Sequence, residues 1–210
     1  MYRPVNQRIP ILVLLAIINL SLFYWVSTSR SPSYRRGYQE KLDAAELFQE
    51  SMNLIKEYQI MRDDFVIDQE DDPFLSGLIG PPTTLITTSL AKLRSKQTTI
   101  NPNIAAMMIE LLFEAELEEG DTIAAGMTAS FPAINIAFLS ACKVMKIHPI
   151  VISSIGSSRW GATDPKFTWL DIEKMLFEAG DGNHEITYTA NSCSDDFIIK
   201  VLPRSVLSDT

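Results

Sequence analysis

From Ile9 to Val26 the chain carries no charged side chain and is interrupted only by Pro10, Asn19 and Ser21. A hydrocarbon layer of about 30 Å needs roughly 20 apolar residues at helical rise, so this run predicts a membrane-spanning helix. Tyr24 and Trp25 close it, where interfacial aromatic residues collect, and Pro10 falls in the first turn, where a missing N–H costs little. A cleaved signal peptide is the rival reading. It shares the basic start but has a shorter apolar stretch and small residues at its cleavage site, whereas this stretch ends in Phe23, Tyr24, Trp25 and Val26. Residues 1–26 are therefore expected to be a retained single-pass anchor in the cell membrane, with the lipid bilayer as partner. Arg3 and Arg8 on one flank nearly balance Arg30, Arg35, Arg36 and Lys41 on the other, so the positive-inside rule assigns the domain to neither side.

Residues 27–39 are mostly small, polar and basic, as in a short linker near lipid headgroups. In the next segment, residues 40–72, Ala44, Leu47, Phe48, Leu54, Ile55, Tyr58 and Met61 recur at three and four positions and predict an amphipathic helix packed on its own domain. The pattern is too short for a strong coiled-coil stalk. Asp63, Asp64, Asp68, Glu70, Asp71 and Asp72 follow as an acidic loop, expected to be solvated. It has neither the glycine nor the terminal glutamate of a calcium loop.

Residues 73–180 read as an α/β domain. Gly77, Gly80, Pro81 and Pro82 mark a loop, and Thr83, Thr84, Thr87 and Thr88 a β-prone surface stretch. Asn101-Pro102-Asn103 opens a helix through Ile104, Met107, Met108, Leu111, Leu112 and Ala115, apolar nearly all round, expected to be buried and to end near Gly120. Then DTIAAG predicts a strand, PAINIAFLSACKVMK a helix and HPIVISSI a second strand. That order makes a βαβ unit and a parallel sheet, with a further amphipathic helix in FTWLDIEKMLFEAG. The expected fold is one N-terminal transmembrane helix followed by a small Rossmann-like α/β domain. Residues 181–210 form a divergent C-terminal segment, in which Glu185–Ala190 and Asp196–Leu202 are candidate strands.

Composition narrows the function. The 210 residues carry 18 basic and 26 acidic side chains, but residues 1–36 hold five arginines and no acid, so the rest has 13 basic against 26 acidic and a net charge of −13. Such a domain repels phosphate backbones, and no nucleic-acid partner is expected. Cys142 and Cys193 are the only cysteines, with Cys142 read as a buried thiol, and His148 and His184 lack metal-ligand spacing. No cofactor, metal or catalytic residue is assigned.

In open α/β sheets ligands collect beyond the carboxyl ends of the strands, so the loops 126–131 and 153–164 should lie side by side. The first brings Thr128 and Ser130 to a helix start at Pro132, whose amides and dipole favour an anion. The second adds Ser157, Ser158 and Arg159. The alternative is that Ser130 caps the helix while Arg159 pairs with Asp164. GMTASFP lacks the spacing of a dinucleotide loop, a P-loop and a G-x-S-x-G nucleophile turn, and His148 is poorly placed as a base.

The segments NPNIAAMMIELLFEAELEEGD, GMTASFPAINIAFLSA, HPIVISSIGSSRWGA and DPKFTWLDIEKML resemble the bacterial poly-gamma-glutamate system protein family over roughly residues 75–178. The SFPAIN turn and the SSRWGATDPKFTWLD stretch are its specific parts. The resemblance implies a membrane-bound accessory protein in making or exporting a poly-gamma-glutamate surface polymer (capsule), with other membrane subunits of that system as partners. It carries no catalytic residues over. Beyond Gly180 the likeness fades, which leaves room for a sheet incomplete at its C-terminal end. The competing reading is an enzyme acting on an anionic, glutamate-like substrate at the strand-end loops.

Overall fold

A computed structural model describes residues 9–29, 36–179 and 198–201. The chain divides into two compact units, Met1–Arg36 and Gly37–Thr210.

In the first unit, α1 (Ile9–Thr28) is 20 residues long. Every side chain described along it is exposed. Two of its polar side chains bond back to its own backbone: Asn19 Nδ2 donates to Leu15 O and Thr28 Oγ1 to Tyr24 O, both at 2.9 Å. Back-bonding of this kind lets polar residues sit in an apolar helix. The helix is long and apolar enough to cross a membrane, a test that an N-terminal signal sequence also passes. Its last residues, Ser27 and Thr28, belong to the expected linker, of which residues 30–35 lie outside the described ones.

The second unit is mixed α/β. Its first helix, α2 (Tyr38–Met61), begins after Gly37, whose φ of 72° suits glycine. Ala44, Phe48, Met52, Ile55 and Gln59 form its buried stripe. The expected stripe is shifted: Leu47 and Leu54 are only half-buried, and Tyr58 and Met61 are exposed because they project away from the line through residues 44, 48, 55 and 59. α2 packs against α4 (Asn103–Glu114) and α5 (Pro132–Met145), which also pack on each other. α5 is the core helix, with Ile136, Ala137, Phe138, Ala141 and Cys142 all buried. α4 is less buried than expected. Ala105, Met108, Ile109 and Leu112 face inward, whereas Met107 and Leu111 are exposed, and the helix stops at Glu114, short of Gly120.

β2 (Thr122–Thr128) and β3 (His148–Ser154) pair in parallel from Thr122 opposite His148 to Thr128 opposite Ser154, joined by α5 as the expected βαβ unit. β5 (Ile198–Val201) runs antiparallel on the other side of β2, giving the order β3-β2-β5. The sheet is therefore mixed, and the edge of β2 that a shortened C-terminal end would have left bare is paired. Glu185–Ala190 lies outside the described residues. Ile123, Ala125, Met127 and Val151 are buried on one face of the sheet. On the other, Ala124, Gly126 and Ile150 are half-buried and Ile152 is exposed, so the strands alternate rather than being buried on both sides. A second pair, β1 (Thr87–Ser89) with β4 (Ser157–Ser158), and the short helix α3 (Leu93–Thr99) carry no signal in the hydrophobic pattern.

The acidic stretch is not simply solvated. Asp72 is buried, and its Oδ2 accepts from Ser76 Oγ at 2.9 Å and from the Gly77 amide at 2.8 Å, pinning the turn after the loop. Asp64 is exposed and accepts from both Arg62 and Lys166, which hold its carboxyl below the usual carboxylate range.

α6 (Trp169–Ala179) packs along β3. There Ser153 Oγ donates to Glu173 Oε2 at 3.0 Å, and Trp169 Nε1 donates to Ser153 Oγ at 3.2 Å. Burial pushes the Glu173 carboxyl up to about 7, against the opposing hydrogen bond from Ser153. A folded value above the ordinary one of 4.5 means that this group's stabilising effect is complete below pH 4.5 and is lost as pH rises through 7. Across that range the stability lost accumulates to about 3 kcal/mol, reached in full only above pH 7. Glu173→Gln should match the parent at pH 4.5 and exceed it at pH 8 in urea-denaturation midpoint. Parallel pH profiles for the two proteins would contradict this assignment.

Candidate functional site

The loops after β2 and β3 lie side by side, as the βαβ topology predicts, but the hydroxyls of Ser130 and Ser157 fasten one loop to the other. Ser130 Oγ accepts from the Ser158 amide at 2.9 Å, and Ser157 Oγ donates to Ala129 O at 3.0 Å. The Ala162 amide reaches Ala129 O at 2.8 Å. Gly161 is required at this seam, because a Cβ there would stand 2.6 Å from Ala129 O and 2.7 Å from Ser130 O. Ser130, Ser157, Ser158 and Thr128 are all buried. Thr128 Oγ1 accepts from the Ser130 amide at 3.1 Å, an ST-turn that bends the chain from β2 toward α5. The helix N-cap is Phe131 and no side chain caps it, so Ser130 is not the cap that one reading of the sequence offered.

Arg159 enters by its backbone, its amide donating to Ser89 O at 3.0 Å. Its side chain is half-buried and makes no ion pair among the described residues. Asp164, offered by the sequence as its partner, instead accepts from Arg62 Nη1 at 2.7 Å. The physical reason lies in α2, whose C-terminal end brings Arg62 against Phe167 and Asp164, 5.7 Å from the ring centroid.

The residue missing from the sequence reading is Lys96. α3 delivers its side chain into the seam, where Nζ donates to Ser130 O and, at 2.8 Å, to Ser158 Oγ, and stands 3.4 Å from the centroid of the Phe131 ring. Lys96 is 2% exposed. Two oxygen acceptors and a ring face surround its Nζ, partners that suit an ammonium group. Nothing in the run LAKLRSKQTT distinguishes Lys96 from Lys92, which is exposed. Asn135 was also missed, although an amide inside the apolar run PAINIAFLSAC is a readable signal. Its Nδ2 donates to Thr128 O at 2.8 Å.

The arrangement is a strand-end cluster of hydroxyls, an uncapped helix start and a buried ammonium, a chemistry suited to holding an oxyanion. Ser130 and His148 are not brought together, since His148 begins β3, at the opposite end of the ladder from Ser130. Cys142 is a free thiol buried in α5, and burial raises it far above its usual range. Cys193 lies outside the described residues. Among the described residues no cluster of metal-ligating side chains occurs. Comparison with known proteins finds no family model, no curated relative and no solved structure that matches the chain.

Two substitutions test the seam. Lys96→Met keeps the stem but strips Ser130 O and Ser158 Oγ of their donor, and should lower unfolding stability by about 1–3 kcal/mol in urea titrations. Gly161→Ala should cost a similar amount, about 1–3 kcal/mol, by forcing backbone oxygens apart. Unchanged midpoints would show that the loops are not fastened in this way.

Proposed function

We propose that the chain is a membrane-anchored accessory protein of a poly-gamma-glutamate synthesis or export system, its second unit a Rossmann-like α/β domain. The observation that carries this reading is a coincidence of sequence and geometry. SFPAIN and SSRWGATDPKFTWLD, the specific segments of the resemblance, are the ones that meet at the strand-end seam and pack α6 on β3. α1 supports the membrane part, since a fully exposed apolar helix of 20 residues would cost a great deal of free energy in water.

The charge of the domain bears on how it would act. With 13 basic against 26 acidic residues after position 36, its surface repels a polyanion such as polyglutamate. The accessory role is then exercised on membrane protein partners rather than by gripping the polymer along its length.

The anchor is tested by alkaline carbonate extraction together with the mass of the mature chain. The expected result is a protein that stays with the membrane and keeps residues 1–26, and a soluble product lacking them would identify α1 as a signal sequence. The role is tested by deleting the gene. Surface polymer should fall, and the protein should copurify with membrane subunits from detergent extracts, whereas a normal capsule in the deletion strain would overturn the reading.

A further inference from the structure

A cleft of about 280 Å³ opens between α2, the turn 74–76 and residues 100–102, and none of its lining residues belongs to the strand-end seam. That volume stands near the lower end of the range for small-ligand sites, roughly 300–1,000 Å³. On α2, Met52, Asn53 and Lys56 follow Gln49 by three, four and seven positions, so these four lining residues share one face of the helix. The facing turn is fixed by its own hydrogen bonds. Asp72 Oδ2 accepts from Ser76 Oγ at 2.9 Å and from the Gly77 amide at 2.8 Å, and the Leu75 amide donates to Asp72 O at 2.9 Å. Gln97 Nε2 donates to Asp71 O at 2.8 Å and ties α3 to the same turn. Gly77 lies directly on α2, since a Cβ there would stand 3.5 Å from Lys56 Cα. The walls are therefore held in place by bonds that a ligand need not supply.

The polar lining of the cleft is unbalanced toward donors. Gln49 Nε2 donates to Asn53 Oδ1 at 3.1 Å, which occupies that oxygen and leaves the Asn53 amino group open. Asn101 Oδ1 likewise accepts from the Asn103 amide at 3.0 Å, leaving the Asn101 amino group. Ser76 Oγ is used in both senses, donating to Asp72 Oδ2 and accepting from the Leu78 amide at 3.2 Å. Lys56 is half-buried and makes no ion pair among the described residues. In a domain with 13 basic against 26 acidic residues after position 36, that singles it out. Asp72 does not line the cleft. Two amino groups and an ammonium thus stand open against one acceptor, Gln49 Oε1, and such a set calls for an oxyanion. The rest of the lining is apolar: Met52 and Ile100 are buried, and Phe74 is 72% exposed.

We propose that this cleft binds a small organic carboxylate. Its oxygens are met by Lys56 and by the amino groups of Asn53 and Asn101, and its carbon body by Met52, Ile100 and Phe74. Inorganic phosphate shares the oxyanion chemistry, but it would set polar oxygens against the apolar part of the lining, where they gain no hydrogen bond. An uncharged molecule of the same shape would leave the Lys56 ammonium without a counter-charge. The proposal is independent of the polymer-system reading, since binding is measured on the purified protein and polymer output in cells.

The full chain in detergent micelles is titrated by calorimetry, with empty micelles as the blank, using isovalerate, its uncharged amide isovaleramide, and inorganic phosphate. Isovalerate should bind saturably and the other two at least about tenfold more weakly, the worth of a charge-assisted hydrogen bond. Lys56→Met keeps the stem and removes the charge, and should weaken isovalerate about tenfold while leaving the circular dichroism spectrum unchanged. Asn53→Ala, at an exposed position, should weaken it about threefold. Lys146→Met removes an exposed lysine paired with Glu119, outside the cleft, and should leave binding as it was. Equal binding of isovaleramide, binding of phosphate alone, or no saturable heat from a folded protein would each overturn the proposal, as would saturable binding that Lys56→Met does not weaken. Absence of heat would mean that water meets the open amino groups and no ligand displaces it.

Discussion

The Lys96 ammonium joins three segments that are distant in the chain. It arrives on α3, bonds the carbonyl of Ser130 after β2, bonds the hydroxyl of Ser158 after β3, and lies on the ring of Phe131 at the start of α5. An ammonium withdrawn from water is costly unless its hydrogens meet oxygens in good geometry, so the loops must keep those oxygens in place. The requirement runs in both directions. Without the lysine, the Ser130 carbonyl and the Ser158 hydroxyl lose their donor, and without the closed loops the lysine has no reason to leave solvent.

The same seam explains the small second sheet. β1 and β4 contribute only two paired positions, Thr87 with Ser157 and Ser89 with Ser158, too few to stand alone. They persist because the Ser157 amide also bonds Ile86 O, while Thr163 Oγ1 donates to Pro81 O and Gly80 N to Gly161 O. The threonine-rich stretch thereby becomes a strap across the 153–164 loop. A surface strand of this kind derives its stability from tertiary bonds, not from its own pattern.

What the sequence displayed follows from which forces leave a periodic trace. The βαβ unit was legible because DTIAAG and HPIVISSI are short apolar runs, α5 is apolar at helical spacing, and Pro132 marks the turn between them. The adjacency of the two loops came with that topology. β1 showed only as a β-prone run of threonines, and α3 and β4 were not legible, since they are placed by individual hydrogen bonds to distant backbone oxygens, and these leave no periodicity. Thr128, Ser130, Ser157 and Ser158 lie together at the strand ends, but Ser130 and Ser157 are fasteners, Arg159 enters by its backbone, and Lys96 and Asn135 went unnoticed. A buried lysine and an exposed one are the same letter, and burial is decided by chain far away in sequence.

A domain this acidic nevertheless buries a lysine against backbone and hydroxyl oxygens, because the two effects act at different range. The net charge of −13 after residue 36 is spread over the surface and is screened beyond about 8 Å at physiological salt. The Lys96 ammonium and the α5 dipole act at contact, in a seam from which water is excluded and where each interaction is several-fold stronger than at the surface. The surface charge therefore governs which macromolecules approach and turns long polyanions away. The seam answers to local hydrogen-bond demand rather than to total charge.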